Sequence, residues 1–418
     1  MVSGAEPATA QSRDLSIGND YLRTVKEVTA SSFTTEEDRR EALQATYEVM
    51  AKLESPWESC VRFQMNMQPA VLAAIKVIKD LGLMVKWHER GDIPMTSAQL
   101  AELVQNCDPG LINRLLRLLA ANGLVEQIPV DKFKPRNFFI ELADPEFNML
   151  TNFFYKIDGP AFTLIPEYLA HRNYKNPIDA NDTVLKKSLG YEDMWTFMKE
   201  NPEDLEMFNI LQKVGTNLEP PWVDLYPHQR LISGFDPNRP LLVDVGGGIG
   251  QDILKFYNIY PETATRLYLQ DLPEVIADAN TKSSIPKAIN KQEYNFFTPQ
   301  TVKRITDADI LVDARAYFMH HIIHDWPDDS AREILQMQKS AMKAGYSRLL
   351  IYDHVLEDEK STVASSAFDI IMMMCFSAQE RTEKQWSALL ESVGLRITKI
   401  WRKPMDTYSV IEVEVPVV

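Results

Sequence analysis

Two stretches of the chain carry side chains suited to moving a proton. The first is Tyr317-Phe318-Met319-His320-His321-Ile322-Ile323-His324-Asp325-Trp326-Pro327-Asp328. Imidazole titrates close to neutrality, so a histidine here can take a proton from a substrate hydroxyl. The second is Gln379-Glu380-Arg381-Thr382, directly ahead of a predicted helix. A carboxylate so placed can fix the tautomer of an imidazole and stabilise its cation. Asp353, at the end of a predicted strand, can act in the same way from the other side.

A third stretch can hold a ligand. Val243-Asp244-Val245-Gly246-Gly247-Gly248-Ile249-Gly250 follows a predicted strand and opens a helix. Glycines let the backbone turn sharply and approach a ligand, and the helix start presents free N–H groups. Asp271 closes the next predicted strand, where a carboxylate can accept both hydroxyls of a ribose. Strand, glycine loop, helix, strand and Asp together point to a nucleoside or dinucleotide site. The spacing Gly246-x-Gly248-x-Gly250 differs from the dinucleotide G-x-G-x-x-G pattern.

The elements around these residues change character along the chain. Residues 1–16 are small and polar and predict a disordered tail. Residues 17–145 predict helices from Thr35, over about Gln68 to Leu81, after the capping box Thr96-Ser97-Ala98-Gln99, and after Asp108-Pro109. Two short strands, Leu124–Ile128 and Asn137–Ile140, complete a winged-helix pattern. Arg114 and Arg117 lie among leucines there, so packing or dimerisation is a better reading than DNA binding. Residues 146–235 are rich in aromatics and Met, Phe208 among them, and predict a helical connector along a substrate pocket.

From 236 to 418 apolar strand runs at 241–245, 266–270, 310–312 and 348–352 alternate with helical segments at 251–258, 272–280, 328–343 and 382–393. That alternation predicts a parallel, doubly wound α/β sheet. Leu395–Trp401 and Tyr408–Val415 read as an antiparallel hairpin at its edge.

Composition narrows the function further. The chain has 418 residues, with 44 Lys and Arg against 59 Asp and Glu, a formal net charge of −15. Such a surface repels phosphate backbones and anionic headgroups, so neither nucleic acid nor a membrane is an expected partner. The cysteines, Cys60, Cys107 and Cys375, are dispersed and odd in number. With no paired His or Cys ligand motif, neither a disulfide framework nor a metal is expected, and the setting reads as reducing and cytoplasmic. No apolar run spans a membrane and no secretory leader is seen.

Four motifs taken together resemble the class I S-adenosylmethionine-dependent O-methyltransferases of the plant caffeate/flavonoid type and their fungal secondary-metabolism relatives. They are VDVGGGIG (243–250), LQDLPEVI (269–276), YFMHHIIHDWPDD (317–329) and QERTEKQW (379–386). The resemblance implies a Rossmann-like methyltransferase sheet with an N-terminal, mostly helical winged-helix dimerisation domain. It implies a homodimer and direct methyl transfer to a hydroxyl of a small-molecule acceptor: a phenol, an enol or an N-hydroxyl. His324 matches the general base, and Glu380 matches the carboxylate that orients it. Asp353 stands where the family has a second acid, usually Glu. Asp244, Gly246, Gly248, Asp271, Leu272, Asn295, Phe296 and His320 match the cofactor side. Asp325, Phe208, Met373 and Phe376 fall on the acceptor side.

Three features depart from the family pattern, one of them the extra His321 beside His320. The adenine-reading residue, usually Asp, is Asn295, and the usual Lys or Arg four before the base is His320. Some fungal relatives keep the cofactor but perform dehydrations or pericyclic ring closures. In those the base position is Arg or Lys, so His324 favours methyl transfer.

Overall fold

The computed structural model describes residues 8–66, 68–104, 107–191, 194–281, 284–302, 313–359, 361–404 and 406–417. It divides into two compact units, Met1–Ser59 and Cys60–Val418. In the first, helices span Ala8–Glu27 and Glu36–Leu53. The expected tail is therefore corrected: residues 8–16 are helical. Ala8, Ala10, Gln11, Arg13 and Leu15 are good helix formers, and their propensity outweighs the small, polar look of the segment. Thr35 caps the second helix, its hydroxyl accepting the Asp38 N–H at 3.1 Å. That helix has no buried residue and leaves Leu43, Tyr47 and Leu53 exposed.

The second unit begins with the winged arrangement. Helices Gln68–Asp80, Ser97–Leu103 and Pro109–Ala121 pack with a three-stranded sheet of Met95–Thr96, Lys132–Pro135 and Val125–Ile128. Thr96 and Gln99 form the expected capping box, and Asp108 caps the third helix. The second wing strand is Lys132–Pro135, not Asn137–Ile140, which lies in a helix. Phe133 alternates with exposed lysines and is buried, as a half-buried strand requires. The Phe138-Phe139-Ile140 run buries only Phe139, against Trp87.

The connector forms helices Pro145–Phe153, Gly159–His171, Val184–Leu189, Met194–Glu200 and Pro202–Leu218. Its buried cluster includes Ile157, Phe197 and Met198, together with Met374 from helix Val363–Phe376. The expected divisions at 145/146 and 235/236 therefore separate no compact units, because connector and catalytic region share a core.

That region is built on β1 (Leu242–Val245), β2 (Leu267–Asp271), β3 (Asn290–Glu293), β4 (Ala316–His320), β5 (Arg348–Leu356), β6 (Arg396–Trp401) and β7 (Tyr408–Glu414). Their order is β6-β7-β5-β4-β1-β2-β3. β1 to β5 pair in parallel, and β6 and β7 form the antiparallel hairpin against β5. Arg381–Thr382 adds a short parallel pairing to the end of β5. The expected strand 310–312 lies outside the described residues. The strand there is 316–320, so Tyr317, Phe318 and Met319 belong to it rather than to a loop after it. All three are buried, as expected of a central strand covered on both faces. β3 escaped the sequence reading because Asn-Lys-Gln-Glu is polar and lies at the sheet edge.

β1 is flanked by β2 on one side and β4 on the other, so the chain reverses direction around it and opens a crevice at the carboxyl ends of these strands. The glycine loop, Asp271 and His320 all fall on that edge. Among the described residues no helix is long and apolar enough to cross a membrane.

The connector core also holds a carboxyl. Asp158 is buried, and burial lifts it to about 7. Its folded-state value lies above the ordinary one, so it favours the folded state at low pH, and that contribution is lost as pH rises through about 7. The stability of Asp158→Asn relative to the parent should rise by about 2–3 kcal/mol between pH 5 and pH 8, measured by urea unfolding at both pH values.

Candidate functional site

His324 sits in the short turn Ile323–Asp325, just past the end of β4, and is 7% exposed. Its Nδ1–H donates to Glu380 Oε1 at 2.9 Å, and its Nε2 lies 3.4 Å from Asp325 Oδ1. Burial disfavours the charged ring. The charges of Glu380, Asp325 and Asp353, with the Glu380 hydrogen bond, more than offset this and carry His324 up to about 10. Burial acts to raise Glu380, and the His324 cation and its hydrogen bond hold it below its usual range instead. The pair stabilises imidazolium so strongly that the unliganded ring holds its proton near neutral pH, and a positive charge bound nearby is what would free it to act as a base.

Asp353 is wholly buried on β5, and burial pushes it up to about 7. Among the described residues neither of its carboxyl oxygens has a hydrogen-bond partner. It acts on His324 through charge alone, whereas Glu380 makes the contact. Asp325, partly buried, is lifted by burial to about 6.

Arg381 was visible in the motif but carried no expected role. It is fully buried, and its guanidinium donates to the carbonyls of Ile323 (3.0 Å) and Trp326 (2.8 Å) and to Asp328 Oδ1 (2.8 Å). These contacts bracket the turn that carries His324. Adjacent residues thus do two things: Glu380 holds the ring, and Arg381 holds its backbone. Glu380 is itself anchored, its N–H donating to Asp369 Oδ1 at 2.9 Å. Only a side chain with a planar fork of donors meets two carbonyls and a carboxylate together.

The glycine loop adopts the backbone expected of it. Gly246 and Gly250 have φ of 69° and 90°. A Cβ at Gly246 would lie 2.6 Å from Ile322, and one at Gly250 would overlap Ile285. Around Gly248, among the described residues beyond its chain neighbours, no atom lies within 4 Å of such a Cβ. The Gly248 N–H and the Leu272 N–H both donate to Asp271, at 2.8 and 2.7 Å, leaving its carboxylate lone pairs to spare. Asp244 is buried below the loop, and among the described residues its Oδ2 has no hydrogen-bond partner. Burial and then the Asp252 charge raise it well above its usual range.

Asn295 is exposed, with its amide oxygen accepting the Phe297 N–H at 3.0 Å. Phe296 packs edge-on to Trp326. His320 has both ring nitrogens engaged, Nδ1 with Asp252 at 2.7 Å and Nε2 with Glu219 at 2.9 Å. The expected acceptor residues divide. Helix Val363–Phe376, which carries Met373 and Phe376, packs against the His324 turn. Phe208 and Phe376 lean on the connector core, Phe208 at 6.2 Å from the Phe153 ring.

The O-methyltransferase domain model matches residues 179–396. Over 395 residues the chain is 42% identical to the O-methyltransferase mfmE of Annulohypoxylon moriforme, covering 94% of each chain. This chain belongs to the O-methyltransferase family. Its fold is similar to a solved structure described as a pericyclic reaction enzyme, with a TM-score of 0.80 and 26% identity over 96% of this chain and 99% of that one. It is equally similar to LepI in complex with S-adenosylmethionine, again at a TM-score of 0.80 and 26% identity, over 97% and 100% of the two chains. The protein is an S-adenosylmethionine-dependent O-methyltransferase. The open space at Gly248, the spare lone pairs of Asp271 and the orphaned Asp244 oxygen fit such a cofactor.

Arg381→Lys should keep the charge but lose the fork. We expect kcat for methyl transfer to fall about a hundredfold, with the cofactor KM within a factor of about three. An unchanged kcat would show that the turn needs no such clamp.

Proposed function

We propose that His324 is the general base that deprotonates the acceptor hydroxyl. The observation that carries this reading is the buried His324–Glu380 pair on a turn tied down by Arg381. With Nδ1 committed to Glu380, the proton moves from the acceptor oxygen to Nε2. Glu380 then stabilises the imidazolium, with Asp353 adding charge from β5. Asp325, beside Nε2, orients the acceptor. Phe208, Met373 and Phe376 offer apolar surface to a planar, largely apolar phenol, enol or N-hydroxyl of a secondary metabolite.

On the cofactor side, Gly246 and Gly248 leave room for the methionine portion, with Asp244 beneath the loop. Asp271 and Leu272 hold the ribose, and Asn295 and Phe296 border the adenine. The His320 ring faces Asp252 and Glu219, so its contribution to the cofactor is its backbone. When bound, S-adenosylmethionine supplies an electrophilic methyl group. The chain's own residues align and deprotonate the oxygen behind it.

His324→Ala should reduce methyl transfer about 10²–10⁴-fold while leaving cofactor affinity within about twofold. The assay is mass gain of one methylene across a panel of phenols and enols, with calorimetry for the cofactor. Collapse of cofactor affinity would contradict the assignment. The likeness to a pericyclic reaction enzyme favours one second reading, a cofactor-binding pericyclase that does not transfer methyl. Turnover of an unstable precursor with no gain in mass would support it.

We also infer a cytoplasmic homodimer. The exposed apolar side chains Leu43, Tyr47 and Leu53 in the first unit, and Val77 in the second, support the dimer, and three free cysteines suit a reducing setting. Sedimentation should give twice the chain mass, and a monomer at micromolar concentration would contradict this.

A further inference from the structure

At the end of β4 the backbone does something a strand does not. Successive side chains of a strand point to opposite faces. His321 instead adopts φ of 51°, a left-handed conformation that is costly for a residue with a Cβ, and its N–H is held by the Tyr352 carbonyl at 3.2 Å. The consequence is that two consecutive imidazoles lie side by side, with ring centroids 4.2 Å apart. Both turn Nε2 toward one carboxylate. Glu219, buried just after helix Pro202–Leu218, places Oε2 at 2.9 Å from His320 Nε2 and Oε1 at 3.5 Å from His321 Nε2.

The three ligand atoms lie within 4.8 Å of one another. Zinc-to-ligand bonds of about 2.0–2.2 Å in a tetrahedron set neighbouring ligand atoms about 3.3 Å apart, and the two separations between Glu219 and the histidines, 2.9 and 3.5 Å, bracket that value. The outer contacts also suit an ion. His320 Nδ1 is bound to Asp252 Oδ2 at 2.7 Å, the carboxylate–histidine arrangement that fixes a ligand's tautomer and aims its other nitrogen inward. His321 Nε2 is buried and, among the described residues, has no hydrogen-bond partner. The His321 side chain is 22% exposed, so part of the ring reaches solvent beside the cluster.

We propose that Glu219, His320 and His321 form a binding site for one divalent transition-metal ion of the zinc type, with a fourth position open. It is separate from the proton-transfer pair, whose imidazole is committed to Glu380. The ion would join the connector to the carboxyl end of β4. The neighbouring positions of the two histidines and the distant Glu219 make no ligand-spacing motif, which is why the sequence predicts no metal.

The test uses the full-length, untagged chain. Titration with zinc chloride by calorimetry should show one ion per chain at a micromolar or tighter Kd. Cobalt chloride should give the intense visible bands of a four- or five-coordinate ion, and zinc should raise the thermal midpoint. His321→Ala and Glu219→Gln should each weaken zinc at least about tenfold and abolish those bands. Circular dichroism identifies which variants are folded, and one folded variant suffices to decide. No binding up to about 1 mM zinc, or binding unchanged in a folded variant, would overturn the proposal.

Discussion

A buried imidazole serves as a base only if its surroundings hold the cation it becomes. On the proposed reading of His324, that requirement falls on one contact, the 2.9 Å hydrogen bond between His324 and Glu380. Both groups are removed from water, so neither is well solvated without the other. Breaking a buried pair of this kind costs about 3–5 kcal/mol, because it strands a charge. The arrangement around the contact follows from keeping it intact. Arg381 fastens the turn, Asp369 fastens the Glu380 backbone, and β5 brings Asp353 alongside as a charge without a hydrogen bond.

The sheet explains how residues so far apart in the chain meet. β4 and β5 are parallel neighbours, so their carboxyl ends lie together, and the 381–382 segment pairs onto the end of β5. That short pairing delivers Glu380 and Arg381 to the turn after β4. The reversal around β1 places the glycine loop and Asp271 on the same edge. The glycine loop and His324 thus share one rim of the sheet, and helix Val363–Phe376 closes against it.

Much of this was legible in the residues. Apolar runs marked most of the strands, the capping boxes marked helix starts, and the HDW and ERT motifs marked two side chains, His324 and Glu380, that the fold brings together. What escaped had a physical reason in each case. β3 is polar because it is an edge strand. Helix Asn137–Glu141 reads as a strand because three consecutive apolar residues have no period. The Arg381 clamp ends on backbone carbonyls, which leave no mark on side-chain pattern. The meeting of Glu219 with His320 and His321 depends on a left-handed residue that no spacing rule announces.

The account turns on His324 removing a proton, so the most direct measurement varies how much that removal is needed. Methyl-transfer rates of the parent and His324→Ala would be compared across phenols of decreasing pKa at one pH. The account predicts that the variant's deficit shrinks as the phenol becomes more acidic and nearly vanishes once it is ionised in solution. An equal deficit for ionised and un-ionised acceptors would contradict it and would reduce His324 to a residue that shapes the site.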